Sequence, residues 1–149
     1  MDKVRAFTVE NVPSAVQSEM DAANAAGMTR PLSLSISGKL TGYSNVYFNK
    51  NLAFTSAKQL FFTMGHEFVH VSQFAALALA GETRSLLTQD FLNMLDFHAY
   101  SYQNSLGGTS LNSFTRSEIL NWSNKITQFN SMGYSNFSWT FNHSFRFPF

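Results

Sequence analysis

The sequence predicts an α+β fold, and three patterns along the chain support this class. Two short segments before residue 51 alternate apolar with polar residues or are rich in β-branched and aromatic residues, as strands are. Longer segments repeat apolar residues at helical spacing and are bounded by capping residues. The chain then ends in a row that places a ring side chain at every odd position from 137 to 149. We therefore predict a small antiparallel sheet packed on helices, followed by a C-terminal aromatic strand.

The first elements in chain order are a helix and a strand. Pro13 near the start and Gly27 just past the end predict a helix over residues 15–26, because proline suits the first turn of a helix and glycine the position after its last turn. Three apolar residues then alternate with serines over residues 32–36. This period of two predicts a half-exposed strand.

A second strand is predicted over residues 45–49, where the run Val46-Tyr47-Phe48 has high strand propensity. The stretch 38–44 is short enough to be the turn between two antiparallel neighbours. We expect the strand at residues 46–48 to present an unpaired edge, to which an extended peptide could add by backbone hydrogen bonds.

The longest helix is predicted from Ala57 to Gly81. Ser56 and Gln59 have the capping-box spacing directly before an apolar run, and Gly81 is a natural stop. Apolar residues cover most of the circumference between these limits, so we expect this helix to be buried through the middle of the domain.

Two more helices follow. One is predicted over residues 84–104, before a pair of glycines. Thr115 and Glu118 repeat the capping-box spacing and open the other, which continues to Gly133.

Composition limits this fold to one domain. The chain has 149 residues, of which 44% are apolar and 13% charged, so residues 1–149 are interpreted as a single domain with a sizeable core. Ten Lys and Arg against nine Asp and Glu leave no basic stripe, which argues against nucleic acid as a partner. There is no apolar run long enough for a membrane span and no signal-peptide pattern. Because cysteine is absent, a transition metal must be held by histidines and carboxylates.

One five-residue window carries a specific chemical signal. His66-Glu67-Phe68-Val69-His70 matches the zinc-protease helix motif H-E-x-x-H. Positions four apart share one face of a helix, so His66 and His70 can bind a single Zn²⁺. Glu67 lies beside the open coordination position, where a carboxylate can act as general base on water.

A catalytic zinc normally has three protein ligands, so a third must come from another part of the chain. The extended metzincin motif is excluded, because Gln73 and Ala76 stand where it requires glycine and histidine. On the following helix, Asp96 and His98 point about 160° apart and Asp90 lies about 120° from Asp96. Only one of these three residues can face the metal.

The chain resembles the gluzincin metallopeptidases, whose third ligand is an acid on the next helix, three residues before a small residue. Asp96-Phe97-His98-Ala99 has that shape, although the family residue is usually Glu. The resemblance favours Asp96 as the ligand, with His98 and Asp90 as alternatives. Residues 46–103 are also similar to the compact H-E-x-x-H domains at the C-terminal tips of bacterial polymorphic (Rhs-type) toxins.

This resemblance implies a zinc metalloendopeptidase that acts as a toxin or effector domain. It implies a protein or peptide substrate, an immunity-type protein partner, and secretion or delivery from a bacterium as part of a larger polypeptide. Gluzincins often use a downstream His or Tyr to stabilise the oxyanion of the tetrahedral intermediate, and His143, Tyr100, Tyr102 and Tyr134 are the candidates here.

Two other interpretations stay open at this level. The motif helix could hold zinc only for stability, in a non-catalytic interaction domain of a larger protein. Alternatively, the motif could have arisen by chance in a helical structural domain, which predicts a protein purified without zinc.

Overall fold

The protein is described by a computed structural model that covers residues 4–8, 10–107 and 115–131, with side chains of the last segment described to residue 125. The fold is α+β, as predicted, and the described residues form a three-stranded sheet and four α-helices. In chain order the elements are β1 (Val4–Phe7), α1 (Ser14–Ala22), β2 (Gly27–Ser33), β3 (Leu40–Phe48), α2 (Ala57–Leu79), a 3₁₀ turn (Arg84–Leu86), α3 (Gln89–Ser105) and α4 (Arg116–Ser131). The predicted strand at 137–149 lies outside the described residues.

The sheet has the strand order β1-β3-β2 and is mixed rather than purely antiparallel. β2 and β3 form an antiparallel hairpin, whereas β1 pairs parallel with β3. β3 is therefore the central strand, and Val46 pairs with residues on both sides. The prediction of an unpaired edge at residues 46–48 is wrong. Within the described part of the chain, β1 and β2 are the two edge strands of this sheet.

Helices cover both faces of this sheet. Tyr47 packs with Val16 and Met20 of α1, while its neighbours Val46 and Phe48 pack toward α2. Successive side chains of a strand point to opposite faces, which places α1 and α2 on opposite sides of β3. The largest apolar cluster lies between α2, α3 and α4 and includes Phe74, Leu77, Met94, Leu95, Phe97 and Trp122.

The boundaries of α2 follow local signals. Ser56 accepts a hydrogen bond from the Gln59 N–H at 3.0 Å, which confirms the predicted N-cap. At the other end Gly81 has φ +79°. Its N–H and that of Glu82 donate to the carbonyls of Ala78 and Leu77, which is a Schellman motif.

One face of α2 is open to solvent, so the helix that was predicted to be buried through the middle of the domain is buried over only part of its circumference. Phe61, Met64 and Phe68 are 59%, 38% and 37% exposed, and they lie on one stripe because they are three and four residues apart. We call these three residues the apolar stripe. The opposite face of α2 packs on the sheet and on α3.

Two helices differ from their predicted bounds, one at its C-terminus and one at its N-terminus. α1 stops at Ala22, since Asn24 adopts φ +50° and completes a Schellman motif in which Ala25 donates to Met20 O. The predicted helix 84–104 is interrupted by the 3₁₀ turn. It restarts at Gln89, where the Thr88 hydroxyl caps the Phe91 N–H.

The strand predicted over residues 32–36 is also displaced. β2 starts at Gly27 and ends at Ser33, while Leu34 and Ile36 lie in the exposed hairpin turn that precedes Gly38. Of the residues predicted as turn, 38–44, residues 40–44 instead form the first half of β3. The alternating serines thus reflect a solvent-exposed turn.

Candidate metal centre

The two histidines of the motif lie side by side on α2. His66 and His70 are one helical turn apart, and their Nε2 atoms are 3.2 Å from each other. The ring centroids are separated by 4.9 Å. His66 is 9% exposed, and the ring of each histidine lines a cavity of about 690 Å³ that opens to solvent. Both imidazoles therefore direct the same nitrogen toward one point in this cavity.

Asp96 of α3 joins them from the opposite wall. Its Oδ1 lies 3.1 Å from Nε2 of His66 and 3.4 Å from Nε2 of His70. α2 and α3 are in direct contact through the apolar cluster between them, which holds the carboxylate against the two rings. Among the residues that the structure describes, His66, His70 and Asp96 form a group that could hold a metal ion.

The spacing of these three donors fits a tetrahedral site. Ligands that are each 2.0–2.1 Å from a tetrahedral zinc lie about 3.3–3.4 Å from one another. The observed separations of 3.1, 3.2 and 3.4 Å are close to that edge length. Two imidazole nitrogens and one carboxylate oxygen are also ligands that zinc accepts, although other divalent transition metals bind the same set.

The other two ligand candidates lie away from this point. His98 is fully buried on another face of α3, where its Nδ1 is 2.8 Å from the side-chain nitrogen of Gln73. Asp90 is in the first turn of α3 and forms an ion pair with Lys125. Of the three residues that the sequence left open, the structure brings only Asp96 to the two histidines.

The charged groups of the cluster shift one another's pKa values. Burial opposes ionisation of Asp96, but hydrogen bonds and charge from His66 and His70 hold the pKa of its carboxyl well below the usual range. Burial also disfavours a charged His70, yet hydrogen bonding to Asp96 and the negative charges of Glu67 and Asp96 raise the pKa of His70 above its ordinary value. The electrostatic field at this point thus favours positive charge, which either protons or a divalent cation can supply.

Glu67 lies beside the cluster and is held by β2. The Thr29 hydroxyl is 2.7 Å from Glu67 Oε2 and 3.2 Å from the Glu67 carbonyl oxygen. Glu67 is only 4% exposed, and it lines the same cavity as the three donors. This packing is close at Gly27, where a Cβ atom would come within 2.6 Å of Glu67 Oε1. Position 27 therefore has no room for a side chain while Glu67 keeps this conformation.

Among the tyrosines that the structure describes, Tyr100 lines the cavity. Its ring packs on the edge of His66, with centroids 4.5 Å apart. Burial, together with the negative charges of Asp96 and Glu67, raises the pKa of Tyr100, so its hydroxyl stays protonated at neutral pH. Tyr102 instead packs near Gly65 of α2, and Tyr134 and His143 lie outside the described residues.

Three residues of this site were not predicted from the sequence. Gly27 was interpreted as the stop of the first helix, and Thr29 had no assigned role. In the sequence, Gln73 stands out only because it breaks the metzincin motif, but its position three residues after His70 places both on one helix face. That spacing is the one sequence signal that could have drawn attention to it.

Comparison with protein-family models, with curated proteins and with solved structures finds no match for this chain. In the described segments, no helix combines the length and the apolar character needed to cross a bilayer. Only the residues of the site itself therefore indicate a function.

Proposed function

We propose that the protein is a zinc-dependent metalloendopeptidase in which His66, His70 and Asp96 hold the metal and Glu67 is the general base. The observation that carries this proposal is the convergence of three metal-binding donors and a buried carboxylate in one solvent-connected cavity. Two-His-one-acid sets with an adjacent carboxylate are typical of zinc hydrolases. The resemblance of the sequence to gluzincins points to the same chemistry.

A zinc ion in this site would supply Lewis acidity that polarises a peptide carbonyl and lowers the pKa of water. Residues of the chain would transfer the proton and stabilise the oxyanion. Glu67 accepts a proton from the attacking water and delivers it to the leaving amine, in an orientation set by Thr29. Tyr100, protonated and within the cavity, donates a hydrogen bond to the oxyanion of the tetrahedral intermediate.

The substrate is proposed to be an extended segment of a protein. β2 is the edge strand next to Glu67, so a peptide that pairs with β2 would pass in front of the metal site. Asp96 and Glu67 make the inner part of the cavity negative, which suits a cationic metal and a neutral backbone. The resemblance to toxin tip domains further suggests delivery from a bacterium and an immunity-type partner.

A second candidate function is a zinc-stabilised interaction domain without catalysis, and the apolar stripe on α2 favours it. Exposed apolar patches of this kind often mark surfaces that bind another protein. This candidate requires zinc binding but no turnover.

Metal analysis combined with an assay on an unfolded protein substrate tests the proposal. We expect one zinc per chain, and we expect Glu67→Gln to keep the zinc while lowering kcat by about 10²–10⁴-fold, as for loss of a general base. Asp96→Ala should lose zinc, because it removes a ligand, whereas Asp90→Ala is the matched control on the same helix and should keep it.

The outcomes separate the candidates. Stoichiometric zinc without hydrolysis would favour the interaction domain. Protein that binds no zinc, or a Glu67→Gln variant that loses metal and activity together, would contradict the proposed roles.

A further inference from the structure

Gln73 is a buried amide that connects the two helices of the metal site. It is 1% exposed, and all of its side-chain hydrogen-bonding atoms have partners. Its Oε1 lies 2.8 Å from Nδ1 of His70. Its Nε2 lies 3.0 Å from the Leu95 carbonyl oxygen and 2.8 Å from Nδ1 of His98. Leu95 immediately precedes Asp96, so this one side chain contacts a ligand of α2 and the backbone that carries the ligand of α3.

The Leu95 carbonyl can only accept a hydrogen bond, and this fixes which atoms of the network donate and which accept. The amide nitrogen of Gln73 must face it, and the amide oxygen must then face His70. An amide oxygen requires a donor, so Nδ1 of His70 carries a hydrogen. The second amide hydrogen of Gln73 points to Nδ1 of His98, which must be an unprotonated acceptor. The two histidines are thus held in opposite tautomers.

The direction of these hydrogen bonds determines which nitrogen of His70 is free to bind a metal. A neutral His70 with its hydrogen on Nδ1 has its lone pair on Nε2, the atom that faces His66 and Asp96. His66 has no equivalent support, since its Nδ1 is buried without a hydrogen-bond partner in the described residues. Packing against Tyr100 orients that ring instead. The site is therefore asymmetric, with one histidine fixed by a hydrogen bond and the other by ring contact.

We propose that Gln73 is the positioning residue of this metal centre. Its amide oxygen holds the His70 ring and selects the tautomer whose Nε2 can bind a metal, and its amide nitrogen ties the Asp96-bearing turn of α3 to α2. The effect of Gln73 on metal binding rests on the proposed function, because Gln73 supports ligands of the same metal site. The tautomers, however, are a property of the protein without any metal.

The first test measures those tautomers. Histidine ¹⁵N spectra of the full chain without zinc, recorded at increasing pH until the histidine signals no longer change, should show His70 with its hydrogen on Nδ1 and His98 with its hydrogen on Nε2. In Gln73→Met, which has a similar volume and no amide, His70 should become a mixture of tautomers. Detection of His70 with its hydrogen on Nε2 in the natural chain would overturn the proposal, whatever the protein binds.

The second test measures zinc affinity by competition with a chelator. Loss of a second-sphere partner of a metal-binding histidine typically weakens binding by about 10–100-fold, and we expect that loss in Gln73→Met. Gln17→Met is the matched control: Gln17 is also a buried amide, 8% exposed, and it bonds to Asn49 and Asp21 on the far side of the fold. It should destabilise the protein and leave zinc affinity unchanged.

Gln73→Glu separates the two halves of the amide. It keeps an acceptor for His70 and loses the donor to Leu95 and His98, so it should bind zinc more tightly than Gln73→Met. Equal weakening in both variants, or a Gln73→Met affinity equal to that of the natural chain, would overturn the proposal. Absence of zinc binding by the natural chain would instead contradict the proposed function, because the tautomer measurement does not depend on it.

Discussion

Replacing Gly27 by alanine tests whether Glu67 must occupy its observed position. The backbone of Gly27 is not in the left-handed region, so alanine is allowed there and only the new Cβ matters. That atom would lie 2.6 Å from Oε1 and 2.8 Å from Cγ of Glu67. Ordinary contacts between such atoms are about 3.5–4.0 Å, so the Glu67 side chain must move by about 1 Å.

This displacement should affect catalysis more than metal binding. A shift of about 1 Å in a catalytic group can lower the rate on the order of 10²-fold, which corresponds to about 2.7 kcal/mol in activation free energy. Crowding of a packed region also costs about 1–3 kcal/mol of stability. We therefore expect Gly27→Ala to bind one zinc per chain and to show kcat/KM about 10²-fold lower on an unfolded protein substrate.

Gly65→Ala is a matched control. Its Cβ would contact Tyr102 at 3.4 Å, which is ordinary packing, and alanine in a helix interior should raise the free energy of unfolding by about 1 kcal/mol. Activity should not change. Full activity in Gly27→Ala, or loss of zinc in parallel with activity, would refute the argument that Gly27 sets the position of the base.

Three further predictions concern hydrogen bonds and charges in β2, the metal centre and α2. Thr29→Val removes the hydroxyl that bonds to Glu67 and should destabilise the protein by about 1–3 kcal/mol, while Thr29→Ser should not; chemical denaturation distinguishes them. In the presence of a chelator, the depressed pKa of Asp96 adds to the free energy of unfolding, and this contribution is lost as the pH falls below about 4. The raised pKa of His70 also adds to the free energy of unfolding, and that contribution is lost as the pH rises from about 6.5 through the pKa of His70 in the folded protein. Unfolding free energies measured between these limits should therefore be highest, and an unchanged profile in Asp96→Asn would contradict this. Ser56→Ala should cost about 1 kcal/mol by removing the N-cap of α2, as measured by thermal unfolding.

The parts of the fold that were predicted correctly depend on short-range interactions. Ser56 with Gln59, and Thr115 with Glu118, fix helix starts through hydrogen bonds between residues three apart. Gly81 likewise ends α2 through bonds within one turn. Signals of this kind are complete within a few residues of sequence, so they identify the boundary without knowledge of the rest of the fold.

The errors arose where tertiary structure decides. Asn24 and Gly27 can both end a helix, but α1 ends through Asn24. Gly27 instead packs against Glu67, which lies 40 residues later in the sequence, and leaves room for its side chain. Helical periodicity showed that Asp96 and His98 face different ways. It could not show which of them meets His66, because that depends on how α3 rotates against α2.

The two faces of β2 have a consequence for any attempt to change the substrate specificity of the proposed peptidase. On one face Gly27 and Thr29 hold Glu67, and on the other Met28 packs in the α1 cluster and Arg30 pairs with Glu19. Mutational libraries directed at this strand would therefore mainly yield inactive or unstable clones. Diversity should instead be placed on α3, where the side chains of Gln89 and Asn93 border the cavity and have no part in the proposed mechanism.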